Sequence, residues 1–550
     1  MAKDFNLAEL HEAIAQAIGE RECLVWRDCR LSWAEVTQRT RRLANFLLER
    51  GLGEVKPRSQ LSPWESGQDH LALYLHNSTE YLESMLGAFK SRTVPFNVNY
   101  RYVEEELLYI FRDSGARGVV YHQRFAPQLE AIRSQLTDLE LLVQVRDGSG
   151  HGLLPGAVDY EQALSQASCR RPPLDWSPDD LYCLYTGGTT GYPKGVLWRQ
   201  ADIYAAALGG QKRPGSGEEF DDLAEIVAAA ARDRPLRTLP ASPFMHGAAH
   251  WSAFNTFHAG GTVVIAANTE HLDPDDLWAT VEKERVGGIL IIGDAFAPPL
   301  LDTLEAGNYD IDSLKLVISG GTALSAGLKR RFLDAAPGLR ILDTVGSSES
   351  GNQGNLLSRS SAEVSTGNFV ASAGNCIVNS DMTAVLEPGS GETGWLARKG
   401  RLPLGYLGDA EKTLKTFPVI DGVRYSVPGD RARMDANGMI ELLGRESATI
   451  NSGGEKIFAE EVELALKCHP DVYDAVVVGR PSRRWGQEVV AIVSLREGKS
   501  PSESDLRKEC ARHVARYKLP KTFVFLDKVL RSPSGKADYR WARSVAGSCD

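Results

Sequence analysis

Through its first 350 residues the chain repeats one alternation, a short, largely apolar run followed by a stretch with apolar residues at helical spacing. Runs at 70–76, 139–145, 261–267, 288–292 and 314–319 are leucine-rich or β-branched and bounded by Gly, Asp or Asn, which marks them as strands. Between them, residues 78–90 place Tyr81, Leu82, Met85, Leu86 and Phe89 on one helical face, with Asn77 and Glu80 as an N-terminal capping pair. Residues 275–285 and 326–335 read as helices in the same way. Strands that are largely apolar along their length and separated by helices imply parallel sheets covered on both faces. The expected class is α/β, with a large N-terminal body of layered, mostly parallel sheets and their helices.

A chain of 550 residues exceeds what one core holds, roughly 250–300 residues. A boundary falls at Gly444-Arg445, giving a body of residues 1–443 and a C-terminal domain of residues 444–550. Beyond the boundary, 460–467 reads as a helix, 474–478 and 488–494 as strands and 504–516 as a charged helix, together a smaller α+β module. The stretch 211–237 opens Lys212-Arg213-Pro214-Gly215, carries an alanine-rich helical piece and reads as a solvated surface insertion.

Charged residues at 24% and hydrophobic residues at 43% describe a soluble globular chain, and the net charge of −10 excludes a general affinity for nucleic acid. The eight cysteines form no C-x-x-C pair and no zinc spacing, which points to a reducing, cytoplasmic setting. The first residues lack the apolar core of a signal peptide, and no run reaches the ~20 residues of a membrane span. Peripheral membrane contact and a homodimer are left open.

Chemistry concentrates in Tyr185-Thr186-Gly187-Gly188-Thr189-Thr190-Gly191-Tyr192-Pro193-Lys194-Gly195-Val196, directly after the apolar run 181–184. Glycines let backbone N–H groups converge on an anion, threonine hydroxyls add donors, and lysine supplies a point charge. The segment reads as a loop that holds nucleotide phosphates. It is not G-x-x-x-x-G-K-[ST], because Pro193 precedes the lysine and Gly195 follows it.

This segment resembles the signature of the adenylate-forming enzymes, the superfamily of acyl-CoA synthetases, luciferases and peptide-synthetase adenylation domains. The resemblance continues in order along nearly the whole chain. It implies that Thr186, Gly187, Gly188, Thr189, Thr190, Gly191 and Lys194 hold ATP phosphates, with Thr189 and Lys194 taking part in catalysis. Ser319-Gly320-Gly321-Thr322 is similar to the segment lying on adenine. In Asp343-Thr344-Val345-Gly346-Ser347-Ser348-Glu349, Val345, Gly346, Ser347 and Ser348 continue the nucleotide site, and Glu349 is implied as a catalytic magnesium ligand. The family carries an aromatic residue where Val345 stands. Asp430 is implied to accept hydrogen bonds from the ribose hydroxyls, with Arg445 beside it.

Pro243-Phe244-Met245-His246-Gly247 resembles the wall of the acyl pocket, to which His246, Gly247 and Gly321 are assigned. Asn451-Ser452-Gly453-Gly454-Glu455-Lys456-Ile457-Phe458 resembles the loop lining the thiol tunnel, giving Gly453, Gly454 and Lys456 to coenzyme A. Ser447 occupies the place of the usual hinge Asp or Lys. Arg531-Ser532-Pro533-Ser534-Gly535-Lys536 matches the C-terminal motif whose lysine, Lys536, meets the acyl phosphate. The C-terminal domain is accordingly expected to be mobile.

The implied reaction joins a carboxylic acid to AMP at the expense of ATP with Mg2+, and a thiol, coenzyme A, then displaces AMP. Residues 450–462, the Trp64-Glu65-Ser66-Gly67-Gln68 segment and Gly346-Ser347-Ser348-Glu349 look most like the long-chain and steroid side-chain acyl-CoA ligases. Two other readings stay open: a fatty acyl-AMP ligase serving a carrier-protein thiol, and a non-catalytic nucleotide-binding protein of the same fold.

Overall fold

The computed structural model describes residues 3–186, 192–233, 235–452, 455–482, 485–532 and 535–548. Its largest sheet has sixteen strands among the described residues. One half is parallel and runs through Arg340–Ser347, Leu316–Ser319, Gly288–Ile291, Arg237–Pro240, Thr262–Ile265 and Glu22–Trp26. A second sheet of five strands, Val94–Asn97, His70–Tyr74, Ala116–His122, Leu141–Val145 and Val158–Asp159, is parallel throughout.

The helix Thr79–Lys90 lies between these sheets and touches strands of both. Every one of its residues except Glu80 is buried, so its polar members need partners inside the protein. Its cap is Ser78, one residue later than the sequence pattern suggests, accepting from the Tyr81 N–H at 3.3 Å. Asn77 instead donates to the Ser242 carbonyl at 3.0 Å and accepts from the Phe244 N–H at 2.6 Å. It thus ties the helix to the 242–244 segment. Lys90, wholly buried, is held by Glu12 at 2.6 Å and the Thr40 hydroxyl at 2.9 Å.

From Gly351 the large sheet continues antiparallel, through Gly351–Ser358, Asn368–Ala371, Met439–Arg445, Asp430–Met434 and Gly394–Lys399. A separate three-stranded sheet joins Leu181–Thr186, Lys194–Arg199 and Gly405–Tyr406.

The C-terminal domain has its own five-stranded sheet, built on the long hairpin Val472–Ser482 and Gly486–Leu495. One face packs Val477, Val489 and Ala491 against helices Ala459–Lys467 and Glu503–Cys510. The other packs Val476, Val478, Val490 and Ile492 against helix Tyr539–Gly547. The charged helix expected over 504–516 ends at Cys510, and only a short 3-10 turn follows at Arg516–Lys518.

The insertion at 211–237 is less solvated than its composition suggests. Its helix Leu223–Ala230 buries Ile226 and Ala230, and Arg21 donates to the carbonyls of Ala230, Ala231 and Arg232 at its C-terminal end, where a cation is favoured. No helix among the described residues is long and apolar enough to cross a membrane.

Candidate active site

The glycine–threonine segment is flanked by two paired strands. Leu181–Thr186 and Lys194–Arg199 pair antiparallel down to Thr186 opposite Lys194. Gly187, Gly188, Thr189, Thr190 and Gly191 lie outside the described residues, but the strands are fixed. A Cβ on Gly195 would sit 2.9 Å from the Tyr185 ring and 3.0 Å from the Cys183 sulfur, so the two strands can close only with glycine there. Lys194 Nζ lies 3.5 Å from Asp409 and 3.9 Å from Asp113. Burial disfavours its charge, yet a hydrogen bond with Tyr109 and these two carboxylates outweigh it and hold the amine above the usual lysine range. Helix Glu104–Ser114 grips the segment: Tyr109 stacks on Tyr192 with centroids 4.4 Å apart, and Tyr185 donates to Asp113 at 2.8 Å.

Strand Leu316–Ser319 delivers Gly320 and Gly321 at its C-terminal end, the usual ligand edge of a parallel sheet. Gly321 has φ +84°, and a Cβ on Gly320 would lie 2.8 Å from the Thr344 hydroxyl. Both positions therefore favour glycine for backbone reasons. The hydroxyl of Thr322 is buried there without a hydrogen-bond partner among the described residues. The adjacent strand Arg340–Ser347 carries Val345, half-buried, and Gly346, exposed.

After Ser347 the chain turns, and its backbone is pinned at three successive residues. The Trp198 indole donates to the Ser348 carbonyl at 2.9 Å, the Ser426 hydroxyl to the Glu349 carbonyl at 2.6 Å and Arg398 to the Ser350 carbonyl at 2.7 Å. The Glu349 carboxylate accepts from the Tyr406 hydroxyl at 2.8 Å. Tyr406 sits on the third strand of the sheet that holds Lys194, opposite Val196, so one bond joins that sheet to the acidic turn. Asp430 and Arg445 face each other across paired strands, with Arg445 Nε 3.2 Å from the carboxylate. Asp430 first, with Glu349 and Glu460 behind it, raises the Arg445 pKa against the opposing effect of burial.

Lys536 comes to this cluster from the C-terminal domain. Its turn is closed by Ser532 donating to the Lys536 carbonyl at 2.8 Å, and is fastened by Arg531 to Asp474 at 2.6 and 2.7 Å. Gly535 has φ +72°, and its Cβ would stand 2.7 Å from Ala295 Cβ and from Ile292 Cγ2. The turn therefore rests directly on the body. The residue as a whole is exposed, but its amine is crowded by protein. That crowding, then the charge of Arg445, pushes its pKa down to about 8, against Glu349, Asp430 and Glu460. The body's Glu349 and Asp430, Arg445 at the domain boundary and the C-terminal domain's Lys536 thus lie within electrostatic reach of one another.

His246 is the cap residue of helix Gly247–His258. Burial, followed by the charge of Lys536, drives its pKa down to about 3, so the ring is neutral. Its Nε2 is buried without a partner among the described residues. Gly247 marks close packing: a Cβ there would meet Leu184 at 2.9 Å and the Trp251 ring at 3.5 Å. Beneath it, Trp251 donates to the Tyr182 hydroxyl at 2.8 Å, Tyr182 bonds His250 Nε2, and His250 Nδ1 meets the Phe244 carbonyl at 2.7 Å.

Gly453 and Gly454 lie outside the described residues. Lys456, exposed, pairs with Glu446 at 2.8 Å, beside the short turn Glu446–Ala448 that contains Ser447. Several partners carried no signal in the sequence: Tyr406, Asp409, Asp113, Tyr109 and Glu460. The first four are ordinary residues on elements far from the motif they support. Glu460 could have been noticed as the extra acidic residue opening helix Ala459–Lys467. Its carboxyl is pushed up to about 7 by burial, then by Glu463 and Asp430.

Comparison with known proteins places residues 10–406 in the AMP-binding enzyme family and residues 461–536 in the AMP-binding enzyme C-terminal domain. The chain is 49% identical over 542 residues to the medium-chain acyl-CoA ligase Mig of Mycobacterium avium, covering 98% of each chain. It is 39% identical over 549 residues to the 3-oxocholest-4-en-26-oate--CoA ligase of Rhodococcus rhodochrous, covering 98% of this chain and 96% of that one. Among solved structures, the anthranilate CoA ligase AuaEII in complex with anthranoyl-AMP superposes with a TM-score of 0.82 at 22% identity, covering 99% and 98% of the two chains. At that identity the likeness speaks for the fold.

Proposed function

Because the chain belongs to the AMP-binding enzymes and is an ATP-dependent, AMP-forming acyl-CoA ligase, we propose that its acid is a medium- to long-chain fatty acid and that the cleft just described is where it is activated. The reading is supported above all by one observation, that Lys536 of the C-terminal domain lies within electrostatic reach of Glu349 and Asp430 of the body and of Arg445 at the boundary.

In the first step the substrate carboxylate attacks the α-phosphorus of ATP, the bond to the β-phosphate oxygen breaks, and pyrophosphate leaves with its electron pair. The anions meeting there need positioning and counter-charge more than they need proton transfer. Lys536 supplies an ammonium at the reacting carboxylate and α-phosphate. The segment of residues 186–195 cradles the outer phosphates, with Lys194 as its fixed cation, and Gly320 and Gly321 let adenine lie flat on backbone. Val345 covers one face of the ring, beside Gly346, Ser347 and Ser348. Asp430 accepts from the ribose hydroxyls and is aligned by Arg445.

Glu349 fits a magnesium ligand. Tyr406 holds one oxygen of its carboxylate, and no cluster of three or more acidic, His or Cys residues is present among the described residues. That suits a cation that takes one or two carboxylates and completes its shell with phosphate and water oxygens. When bound, the ion supplies charge neutralisation on the departing pyrophosphate.

In the second step the coenzyme A thiol attacks the acyl carbon and AMP departs, a cleavage made easy because the acyl group no longer carries charge. Lys536 has no task there. The C-terminal domain, taken as residues 444–550, turns about the 446–448 segment to withdraw Lys536 and present residues 451–458, including Gly453, Gly454 and Lys456, to the thiol. His246, Gly247 and Gly321 form the acyl wall.

The second reading, a steroid side-chain carboxylate, is favoured by the Rhodococcus relative. A panel from acetate to steroid side-chain acids, assayed as AMP release with free coenzyme A, tests both. Activity greatest on linear acids is expected. Activity confined to steroid acids selects the second reading. Turnover only with a carrier-protein thiol, or no acid-dependent pyrophosphate exchange on any acid, overturns the coenzyme A assignment.

A further inference from the structure

The C-terminal domain touches the body through a buried ion pair that the chemistry above does not use. Asp294 lies in the first turn of helix Gly293–Ala306, and Lys467 is the last residue of helix Ala459–Lys467. Their Oδ2 and Nζ atoms are 2.9 Å apart, with only 6% and 11% of the side chains exposed.

Each partner is wired to a different half of the active site. The Asp294 N–H donates to the Ala323 carbonyl at 2.9 Å, and its Oδ1 accepts from the Ser325 N–H at 2.7 Å. The helix start presses so closely on that segment that a Cβ on Gly293 would stand 2.3 Å from the Ala323 carbonyl. Asp294 is therefore continuous with the backbone that follows Gly320 and Gly321. On either side of it, Ile292 and Ala295 form the seat on which Gly535 rests, one residue before Lys536. Lys467 in turn ends the helix that follows the glycine loop of residues 451–458. It lies within electrostatic reach of Asp474, the carboxylate that fastens Arg531 and hence the Lys536 turn.

We propose that Asp294 and Lys467 are a positioning pair for Lys536, a releasable tie between the nucleotide-side backbone and the C-terminal domain that favours the docked arrangement in which the acyl-adenylate forms. Release leaves neither charge stranded. Burial works against the Lys467 charge, but Asp294, Asp474 and Glu463 outweigh it and hold the amine above the usual lysine range. Two of those three carboxylates belong to its own domain and travel with it. Asp294 keeps the Ser325 N–H and gains water. An ion pair that is costly to lose one-sidedly but has substitute partners on undocking fits a switch better than a permanent strut.

The inference rests on the rotating-domain reading proposed above, and its test separates the two. Asp294→Asn, which retains an acceptor for Ser325, Lys467→Met and the exchange Asp294→Lys with Lys467→Asp are compared with Lys536→Ala in the full chain. Three readouts serve: acid-dependent pyrophosphate exchange, acyl-CoA formation from supplied acyl-adenylate, and the thermal midpoint. Each single variant is expected to lose about tenfold in exchange while thioester formation stays within about twofold of the parent, and the exchanged pair to regain most of the loss.

Equal loss in both half-reactions, no loss in either, or an exchanged pair no better than the singles overturns the inference. If Lys467→Met fails to fold, Asp294→Asn alone decides on the half-reaction split. If Lys536→Ala loses exchange alone while the Asp294 and Lys467 variants behave as parent, the positioning pair falls and the reading of the cleft stands. If Lys536→Ala retains exchange, that reading falls first.

Discussion

The hydroxyl of Tyr406 gives the sharpest test of how the acidic turn is organised. Its ring is buried, packed near Phe417 with centroids 6.0 Å apart and with Lys412 Nζ 4.3 Å from its centroid. Tyr406→Phe therefore removes one oxygen without opening a cavity or moving a strand. What disappears is the 2.8 Å bond to Glu349, a neutral donor on a charged acceptor, worth about 1.5–3 kcal/mol. Glu349 is only half-buried and faces the cleft, so water can replace the bond in the resting enzyme. The loss is then felt where the carboxylate must be still, in the adenylate-forming transition state. At about 1.36 kcal/mol per decade this predicts a ten- to hundredfold fall in acid-dependent pyrophosphate exchange. The assay is exchange titrated with Mg2+, run beside thioester formation from supplied acyl-adenylate. Half-saturation by Mg2+ should move to higher concentration, and thioester formation should stay near the parent rate. Exchange within about twofold of the parent at every Mg2+ concentration would refute the argument, because a bond of this class cannot be lost from a working ligand at so small an effect.

Lys536→Ala should reduce exchange by about a hundredfold or more, the scale of losing one oriented charge at a reacting oxyanion, and leave thioester formation intact; a parallel fall in both would remove Lys536 from the first step. The same residue sets a pH limit. Its pKa is lowered from 10.5 to about 8, and a lysine is charged below its pKa. Exchange measured as kcat/KM should therefore decline as pH rises through about 8, with no matching decline in thioester formation, and a flat profile to higher pH would sink the assignment. In the body, Glu12→Gln strips the buried Lys90 ammonium of its carboxylate, which should cost about 3 kcal/mol or more in urea denaturation, whereas Lys90→Met leaves Glu12 paired with Arg41 and should cost less. Equal costs for the two would show that the Lys90 charge is not the expensive group.

The elements legible in the sequence were those written by local periodicity. The strand at 288 and the helix Ala326–Ala335 could be bounded within a residue or so, because their apolar spacing and flanking turns are contained in themselves. The cap of Thr79–Lys90 slipped by a residue because Asn77 and Ser78 are both good caps, and the choice was made by Phe244, whose N–H claims Asn77. The antiparallel half of the large sheet was not legible. Asn368–Ala371 pairs with Met439–Arg445, and no short-range pattern records a partner so distant. Likewise, the motif containing Glu349 announces a carboxylate, but the hydroxyl that holds it lies 57 residues away on a two-residue strand. The Asp294–Lys467 pair joins two domains, and each residue alone reads as an ordinary helix-end charge.

The parallel pairing of Glu22–Trp26 with Thr262–Ile265 has a bearing on how the chain comes into being. Contacts such as the Trp26 indole on the Ala266 carbonyl join residues 240 apart, an interval that a ribosome covers in roughly 12–48 s at about 5–20 residues per second. Throughout that interval Cys23, Leu24 and Val25, all buried in the finished protein, have only the short neighbouring strand Cys29–Ser32 to pair with, and the other edge stays open. The nascent N-terminus must wait under a chaperone or under its own helices, and a ribosome halted short of residue 265 releases a chain with an uncovered, pairing-competent strand.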